Sequence, residues 1–298
     1  FSLSGFETKC LILALSRFFD EKYEKLFAYL QDDITKKIPT VSLAAALFME
    51  KNTESWEYAF RIRENRRFSG LFVPEDLSEG RLAPVPEVME FLTGHAISSG
   101  DVELYLPEEE KTDEPLLAHK EEALRLGNFL ELPRGICALA GLKGSGRHFQ
   151  VKYALKQAGR SCVFLQIRSA GDLEKSILRG AMLATLAGSD LCLCGIESQN
   201  EEGENTGIGP ETEQALLEAV PRDGFLFLLT EKPVHLHTEL PVLGLSLSLP
   251  PIPDRLELFR YFFREIPLQE EFSFPAMATR FHFLPSQIRQ AADETRGL

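Results

Sequence analysis

The stretch that decides the fold of this chain is Gly141-Leu142-Lys143-Gly144-Ser145-Gly146-Arg147-His148. It follows a short apolar run at residues 136–140 and leads into a helical pattern of apolar residues. A strand, a glycine-rich turn and a helix, in that order, are the setting in which the motif G-x-x-x-x-G-K-[ST] forms a phosphate-binding loop. Glycines allow backbone N–H groups to turn towards phosphate oxygens, and the N-terminus of the helix adds partial positive charge. The sequence therefore predicts such a loop here.

Both positions of the motif that carry chemistry are changed. Arg147 occupies the lysine position, and His148 occupies the position of the hydroxyl that binds Mg²⁺. Arginine also binds phosphate, although its planar fork is longer than the compact charge of lysine. Histidine is a poor ligand for Mg²⁺, which prefers hard oxygen ligands in octahedral geometry. The stretch is therefore either a phosphate-binding loop that has lost its chemistry or a glycine-rich turn that resembles one by chance.

Length and composition indicate a soluble protein of more than one domain. The chain has 298 residues, of which 44% are hydrophobic and 26% charged, so it can form two domains with separate cores. No apolar run approaches the roughly 20 residues that span a bilayer, so we expect no membrane partner. The net charge of -13 argues against nucleic acid as a partner, because proteins that bind nucleic acid neutralise phosphates with basic side chains.

The N-terminus and the cysteines bear on the cellular compartment. Residues 1–15 lack the basic start and the small-residue cleavage site of a signal peptide. The chain begins with Phe rather than Met, from which we expect that its natural ends lie outside this sequence. The cysteines are Cys10, Cys137, Cys162, Cys192 and Cys194. An odd number of cysteines in apolar surroundings is typical of reduced, buried thiols, so the sequence predicts a cytoplasmic protein.

Residues 1–100 are predicted to form a mostly helical domain. Apolar residues recur at helical spacing in four segments, and Ser4 and Glu7 form the pattern of a capping box at the first of them. Two strand-like pieces follow at residues 71–73 and 81–85, joined by a polar turn. A few small helices followed by a hairpin give the outline of a winged helix.

The rest of the chain is predicted to be an α/β domain. Residues 101–115 are acidic and are predicted to be an exposed linker. From residue 116 onwards, apolar runs alternate with helical stretches, and near-continuous apolar runs are typical of strands buried on both faces of a parallel sheet. We therefore predict a five-stranded parallel sheet within residues 116–250 and a small helical lid at residues 251–298. The predicted strands are 136–140, 162–167, 191–196, 225–229 and 245–249.

This order of elements resembles an AAA+ ATPase module over residues 116–298. The opening residues 1–7, together with residues 26–33 and Pro39-Thr40, look like a bacterial ATPase family with an N-terminal winged-helix-like domain followed by AAA+ modules, often accompanying contractile injection systems. The resemblance implies that this sequence holds the N-terminal domain and a first, degenerate AAA+ module. It also implies a competent second module after Leu298, and partners that are proteins, other AAA+ modules or further copies in a homo-oligomer.

The residues that the family uses for hydrolysis match unevenly. In the family, the third strand ends in an aspartate that holds Mg²⁺ and a glutamate that polarises water. Here these two positions hold Cys194 and Gly195, and Glu197 is out of register. Thr230 fits the first-sensor position, but residues 231–244 contain no arginine that could serve as an arginine finger.

In the lid, Arg289 lies in a stretch that resembles the second-sensor helix and could point towards a γ-phosphate. Phosphoryl transfer depends on positioning and on electrostatic stabilisation by metal, lysine and arginine. Because these features are missing together, we predict no catalytic and no metal-binding residues. ATP or ADP is the candidate ligand, and Mg²⁺ is not expected. The candidate nucleotide-binding residues are Gly141, Lys143, Gly144, Ser145, Gly146, Arg147, His148, Thr230 and Arg289.

Cys192 and Cys194 lie two residues apart, on one face of a predicted strand. This spacing fits either a soft metal site or the buried thiols of a packed sheet. No second pair of Cys or His has the spacing of metal ligands, so we predict buried thiols.

Three functions follow from these observations. The first is a non-hydrolysing AAA+ module with a winged-helix-like domain, which acts in assembly or partner binding within a larger ATPase. An alternative is a divergent ATPase that uses Arg147 and Glu197. A second alternative is a DNA-binding regulator that uses the winged helix and the basic cluster within residues 61–67.

Overall fold

The computed structural model describes residues 3–49, 57, 59, 62, 65–94, 100–109, 114–168, 173–196, 208–266 and 273–296. The chain forms two compact units, Phe1–Ile97 and Ser98–Leu298.

The first unit is mainly helical. Its described helices are α1 (Gly5–Phe19), α2 (Lys22–Leu30), α3 (Val41–Phe48), α4 (Arg66–Ser69), α5 (Pro74–Ser78) and α6 (Pro86–Leu92). The Ser4 hydroxyl accepts from the N–H of Glu7 at 3.2 Å, and the Glu7 carboxylate accepts from the N–H of Ser4 at 2.6 Å. The predicted capping box is therefore confirmed, and it satisfies two N–H groups at the start of α1.

In the first unit, the structure differs from the hairpin that the sequence predicts. Its two strand-like pieces meet at one isolated bridge, between Phe72 and Pro84. The residues between them form helix α5 rather than a polar turn. Pro74 explains this helix, because the first helical position suits a residue with a fixed φ and no N–H to donate.

The second unit is built on a six-stranded sheet. Its strands are β1 (Val102–Tyr105), β2 (Gly135–Gly141), β3 (Cys162–Gln166), β4 (Asp190–Cys194), β5 (Phe225–Thr230) and β6 (Val242–Leu247). The strand order is β1-β3-β4-β5-β2-β6. Strand β1 runs antiparallel to β3, and all other neighbours are parallel. The near-continuous burial of β2 to β5 agrees with their apolar sequences.

The sheet has one strand more than the five predicted. Strand β1 lies within residues 101–115, which were predicted to be a linker. Its Val102 and Tyr105 are buried, and the ring of Tyr105 packs edge-on against Phe164 with 6.3 Å between the centroids. Burial of these side chains stabilises a strand although acidic residues follow it. The last strand is also displaced, because β6 pairs with β2 along Val242–Leu247 and not along residues 245–249.

The helices of the second unit take part in at least two separate hydrophobic cores among the described residues. They are α7 (Lys120–Phe129), α8 (Arg147–Ala158), α9 (Leu173–Ala187), α10 (Pro210–Ala219), α11 (Ile252–Phe262), α12 (Phe274–Arg280) and α13 (Pro285–Arg296). One core joins the sheet to α7 and α8. The other lies among α11, α12 and α13, here called the C-terminal helices, and includes Phe259, Phe263 and Ile288. None of the described helices is both long and apolar enough to cross a membrane.

Asp190 anchors the start of β4. Its side chain is fully buried and accepts hydrogen bonds of 2.7 Å from both Nε and Nη2 of Arg160. It also accepts from the buried N–H of Phe225 at 2.8 Å, which begins β5. The carboxylate thus accepts three hydrogen bonds from two partners, the arrangement that a buried charge requires.

Candidate functional site

The loop predicted from the sequence connects β2 to α8. Gly144 and Gly146 have φ angles of +94° and +97°, in the left-handed region that favours glycine. The N–H of Ser145 donates to the carbonyl of Leu142 at 3.0 Å, which closes the turn. Gly146 is the N-cap of α8, so the first N–H groups of that helix face the turn. Two glycines of the motif therefore have conformations that other residues rarely adopt.

Parallel pairing brings the ends of three strands to this loop. Ala140 of β2 pairs with Thr230 of β5, and Leu229 of β5 pairs with Cys194 of β4. The carboxyl ends of these strands lie at one edge of the sheet, which is where open α/β sheets bind ligands.

A cavity of about 860 Å³ opens beside the loop. This volume is typical of a small-molecule site, for which about 300–1,000 Å³ is usual. The cations that line it are Lys143, Arg147, Lys152, Lys156 and Arg289. The large apolar and aromatic side chains that line it are Tyr105, Leu117, Phe149, Tyr153, Leu229, Leu258, Tyr261 and Phe262. The cavity therefore offers both cationic and aromatic surface to one ligand.

Three buried polar atoms at this cavity have no hydrogen-bond partner among the described residues. They are Ser145 Oγ, Gln150 Oε1 and His119 Nε2, and all three residues line the cavity. The amide nitrogen of Gln150 donates to the carbonyl of Ala118 at 3.0 Å, which fixes the side chain. Buried polar groups in proteins nearly always have a partner. The three atoms indicate a polar ligand or ordered water in the cavity.

His148 stands where the phosphate-binding motif has a hydroxyl, and its side chain lies beside Phe164 and Glu103. Its ring lies 4.4 Å from that of Phe164, and its Nε2 is 3.7 Å from Glu103 Oε2. Burial lowers the pKa of His148, the charge of Lys152 lowers it further, and Glu103 acts in the opposite direction. A neutral imidazole beside an aromatic ring does not provide the oxygen ligand that Mg²⁺ prefers.

The two histidines of the site predict how stability depends on pH. Burial lowers the pKa of His119 despite the nearby Glu122 and Asp254, and the pKa of His148 is also lowered. Below the ordinary pKa of about 6.5, the unfolded chain binds protons that the folded chain resists, so stability rises with pH in this range. We expect the free energy of unfolding to be fully present above about pH 6.5 and to fall as the pH drops towards the lowered values.

Urea unfolding on either side of this range checks the expectation. Carboxylates also titrate in acid, so the comparison that decides is with a variant carrying His119→Gln and His148→Gln. In that variant the loss of stability between neutral and mildly acidic pH should be smaller. An equal loss in both proteins would show that the histidines are not responsible.

The resemblance to AAA+ modules predicts that Cys194 and Gly195 stand at positions that are acidic in those modules. The thiol of Cys194 lines the cavity, and its sulfur lies 4.0 Å from that of Cys192. Gly195 has a φ of +83°, and a Cβ atom there would lie 2.9 Å from the carbonyl oxygen of Ile167. A glutamate at this position would be strained and would collide with the backbone. Across the ranges that the structure describes, no group of three His, Cys, Asp or Glu side chains could hold a metal ion.

The two predicted sensor residues lie near the cavity, and each already has a polar partner within the chain. The hydroxyl of Thr230 is buried and donates to the carbonyl of Lys232 at 2.8 Å. Arg289 lines the cavity, and its Nη1 lies 3.3 Å from Glu114 Oε1. Its guanidinium also lies 6.0 Å from the centre of the Phe262 ring.

The C-terminal helices contact the loop directly. The N–H of Ser286 donates to the carbonyl of Gly144 at 3.2 Å. A Cβ atom on Gly144 would collide with the hydroxyl of Ser286 in its present rotamer, and the φ of +94° also favours glycine here. Lys120 Nζ also forms an ion pair of 3.0 Å with Glu257 Oε2 on α11.

Sequence reasoning missed several residues of the cavity. Glu114 and His119 carry no motif, and they reach the site because the chain before α7 passes beside α8. Gln150 lies in the first turn of α8 and also carries no motif. The left-handed φ of +57° at His119 gave no signal in the sequence. Glu197, which the divergent-ATPase hypothesis needs, lies outside the described residues. So do Arg61 and Arg63 of the basic cluster.

One family model matches the N-terminal part of the chain. Residues 1–68 match the family model described as "Winged helix domain, variant". The N-terminal unit contains a winged helix domain. The prediction of a winged-helix domain at the N-terminus is thus confirmed, over residues that end before the predicted hairpin.

Other comparisons add no function. No curated protein matches the chain. A solved structure titled "Structural Basis for Katanin Self-Assembly" is similar to this chain, with 14% sequence identity and a TM-score of 0.47. The match covers 70% of this chain and 76% of the chain in that structure. A similarity at that level does not assign an activity to this chain.

The winged helix domain exposes several large apolar side chains. Ile12, Phe19, Tyr29 and Ile34 are between 62% and 87% exposed, on α1, on α2 and just after it. Single exposed apolar residues are common, and they mark a surface that binds another protein where they form one contiguous patch.

Proposed function

We propose that the second unit is a degenerate AAA+ module that binds nucleotide without hydrolysing it, and that the chain serves assembly or partner binding within a larger ATPase. The observation that carries this proposal is the cavity beside the loop, with three buried polar atoms that lack a partner among the described residues.

The loop supports binding of the phosphates. Its glycine conformations and the N-terminus of α8 provide N–H groups and partial positive charge where β2 ends. Lys143 and Arg147 line the same cavity and add full charges. Arginine forms bidentate hydrogen bonds with phosphate, so the change from lysine preserves attraction for the ligand.

The rest of the cavity supports binding of a base. Tyr261 and Phe262 on α11 offer aromatic faces, and Leu117 lies on the wall formed before α7. The unpaired Oε1 of Gln150 accepts hydrogen bonds, so it favours a ligand group that donates one. A ring with an amino group fits these features.

The residues around the phosphate position argue against hydrolysis. His148 and Cys194 do not fit Mg²⁺, and Gly195 has no room for a glutamate. Phosphoryl transfer in related folds relies on the metal and on charged residues placed around the γ-phosphate. Without them, the module keeps a binding role only.

Addition of nucleotide tests the proposal through thermal unfolding. We expect 1 mM ATP or ADP to raise the melting temperature of the second unit by less than about 2 °C, equally with Mg²⁺ and with a chelator. A ligand with a Kd of about 1 mM stabilises the folded state by about 0.4 kcal/mol at this concentration. That corresponds to about 1–2 °C at about 2–4 °C per kcal/mol.

Matched variants separate binding at the loop from general effects. Arg147→Ala should remove the shift, and Arg125→Ala, an equal loss of charge on an exposed part of α7, should keep it. Absence of any shift in the parent protein would reject nucleotide binding. A larger shift that needs Mg²⁺, with steady turnover of ATP, would favour the divergent ATPase. A variant with Arg147→Lys, His148→Thr and Cys194→Asp should gain binding without gaining turnover.

The exposed apolar side chains of the winged helix domain support the role in partner binding. The partners that the resemblance implies are proteins, including other AAA+ modules and further copies of this chain. Ile34 and Tyr29 are 87% and 82% exposed, so polar replacements there should leave folding intact. Loss of association in such variants, without loss of stability, would identify the surface as the docking site.

A further inference from the structure

One thiol of this chain is accessible, and it lies on the wall of the cavity. Cys10, Cys137, Cys162 and Cys192 have no exposed surface. Cys194, at the end of β4, is half-buried and lines the cavity. A reagent in the cavity can therefore reach one of the five sulfur atoms.

The surroundings of Cys194 favour its thiolate. Cys192 lies on the same face of β4 with its sulfur 4.0 Å away, where its S–H can donate to Cys194. This hydrogen bond lowers the pKa of Cys194, burial raises it, and the charges of Arg147 and Lys152 lower it while Glu103 raises it. Conversely, burial raises the pKa of Cys192, so Cys192 keeps its proton. Reactive cysteines are thiolates in partly exposed, electropositive surroundings.

We propose that Cys194 is a site of covalent modification by small anionic disulfides that enter the cavity. The thiolate of Cys194 attacks one sulfur of the disulfide. A new S–S bond forms to Cys194 as the bond within the reagent breaks, and the second half leaves with the electron pair as a thiolate. The small disulfide is the oxidant, and the protein thiol is oxidised to a mixed disulfide.

The anionic character of the reagent follows from the walls of the cavity. Its lining includes five cations against two carboxylates, those of Glu114 and Glu231, and the charge of Arg147 lowers the pKa of Cys194. Carboxylates on the reagent are attracted to this surface. Cys192 acts as a positioning residue, because it is fully buried and reaches the reagent only through Cys194. The proposal is independent of nucleotide binding.

Thiol titration of the native chain tests the proposal. The probe is the anionic aromatic disulfide dithiobisnitrobenzoate, which releases a coloured thiolate, and we expect one fast thiol before unfolding and the others only after it. Peptide mapping of the native labelled protein should place the label on Cys194, which requires no variant. Cys194→Ser should remove the fast phase.

Two further variants test the surroundings of the thiol. Cys192→Ala should slow the fast phase about threefold for each unit by which the pKa of Cys194 rises. A higher pKa lowers the fraction of thiolate, and the greater nucleophilicity of each thiolate offsets part of this loss. Cys10→Ala, a buried cysteine of the other unit, should not change the rate. Arg147→Ala should slow the anionic probe more than neutral dithiodipyridine. A label on another cysteine, or no thiol reacting before unfolding, would overturn the proposal. Equal slowing of both probes would overturn the role of charge.

Discussion

Replacement of Asp190 by alanine is expected to destabilise the second unit by about 1–3 kcal/mol, because it leaves the buried N–H of Phe225 without an acceptor. Arg160 loses two hydrogen bonds, but its side chain is 30% exposed and still donates to the carbonyl of Asp223 at 3.2 Å. At about 2–4 °C per kcal/mol, the melting temperature should fall by about 2–12 °C.

Scanning calorimetry, with the transition of the second unit followed separately, measures this effect. The matched control is Asp293→Ala, which removes an exposed ion pair with Arg296 in the same unit. Such pairs contribute at most about 1 kcal/mol. If the two replacements lowered the transition equally, the three hydrogen bonds of Asp190 would have no special role.

Removal of β1 is expected to make the second unit unstable and prone to aggregation. A fragment of residues 116–298 corresponds to the α/β domain and lid predicted from the sequence, but it lacks β1. Tyr105 alone buries about 150–250 Å², which at about 25 cal/mol per Å² corresponds to about 4–6 kcal/mol. The loss also leaves β3 as an exposed apolar edge, which is a site of aggregation.

Light scattering and thermal unfolding of two fragments check this expectation. The fragment of residues 98–298 retains β1 and should stay monodisperse, whereas the fragment of residues 116–298 should aggregate or melt well below it. Equal behaviour of the two fragments would mean that β1 pairs with β3 without stabilising the sheet.

The elements that could be predicted are those with a strong local pattern. Strands β2 to β5 are apolar along their length, and the loop before α8 follows a known motif, so both were located to within about two residues. Strand β1 was missed because four alternating residues before an acidic run resemble a linker. Its stability comes from Phe164, 59 residues away from Tyr105, and no local pattern contains that contact.

The candidate site was predictable only in part. The residues of the loop were found from their spacing, because a phosphate-binding turn is continuous in sequence. His119 and Gln150 were not found, since they meet only when the chain before α7 packs beside α8. The ion pair between Arg289 and Glu114 was also not predicted, because these residues are far apart in sequence and meet only through the tertiary fold.

Ser286 and Arg289 tie the C-terminal helices to the rest of the second unit. Ser286 bonds to the loop at Gly144, and Arg289 pairs with Glu114 in the segment before α7. A ligand moves a protein only to the extent that it binds one conformation more tightly than another. Because the chain's own groups already make these contacts, a ligand that enters the cavity needs no movement of the C-terminal helices towards the loop.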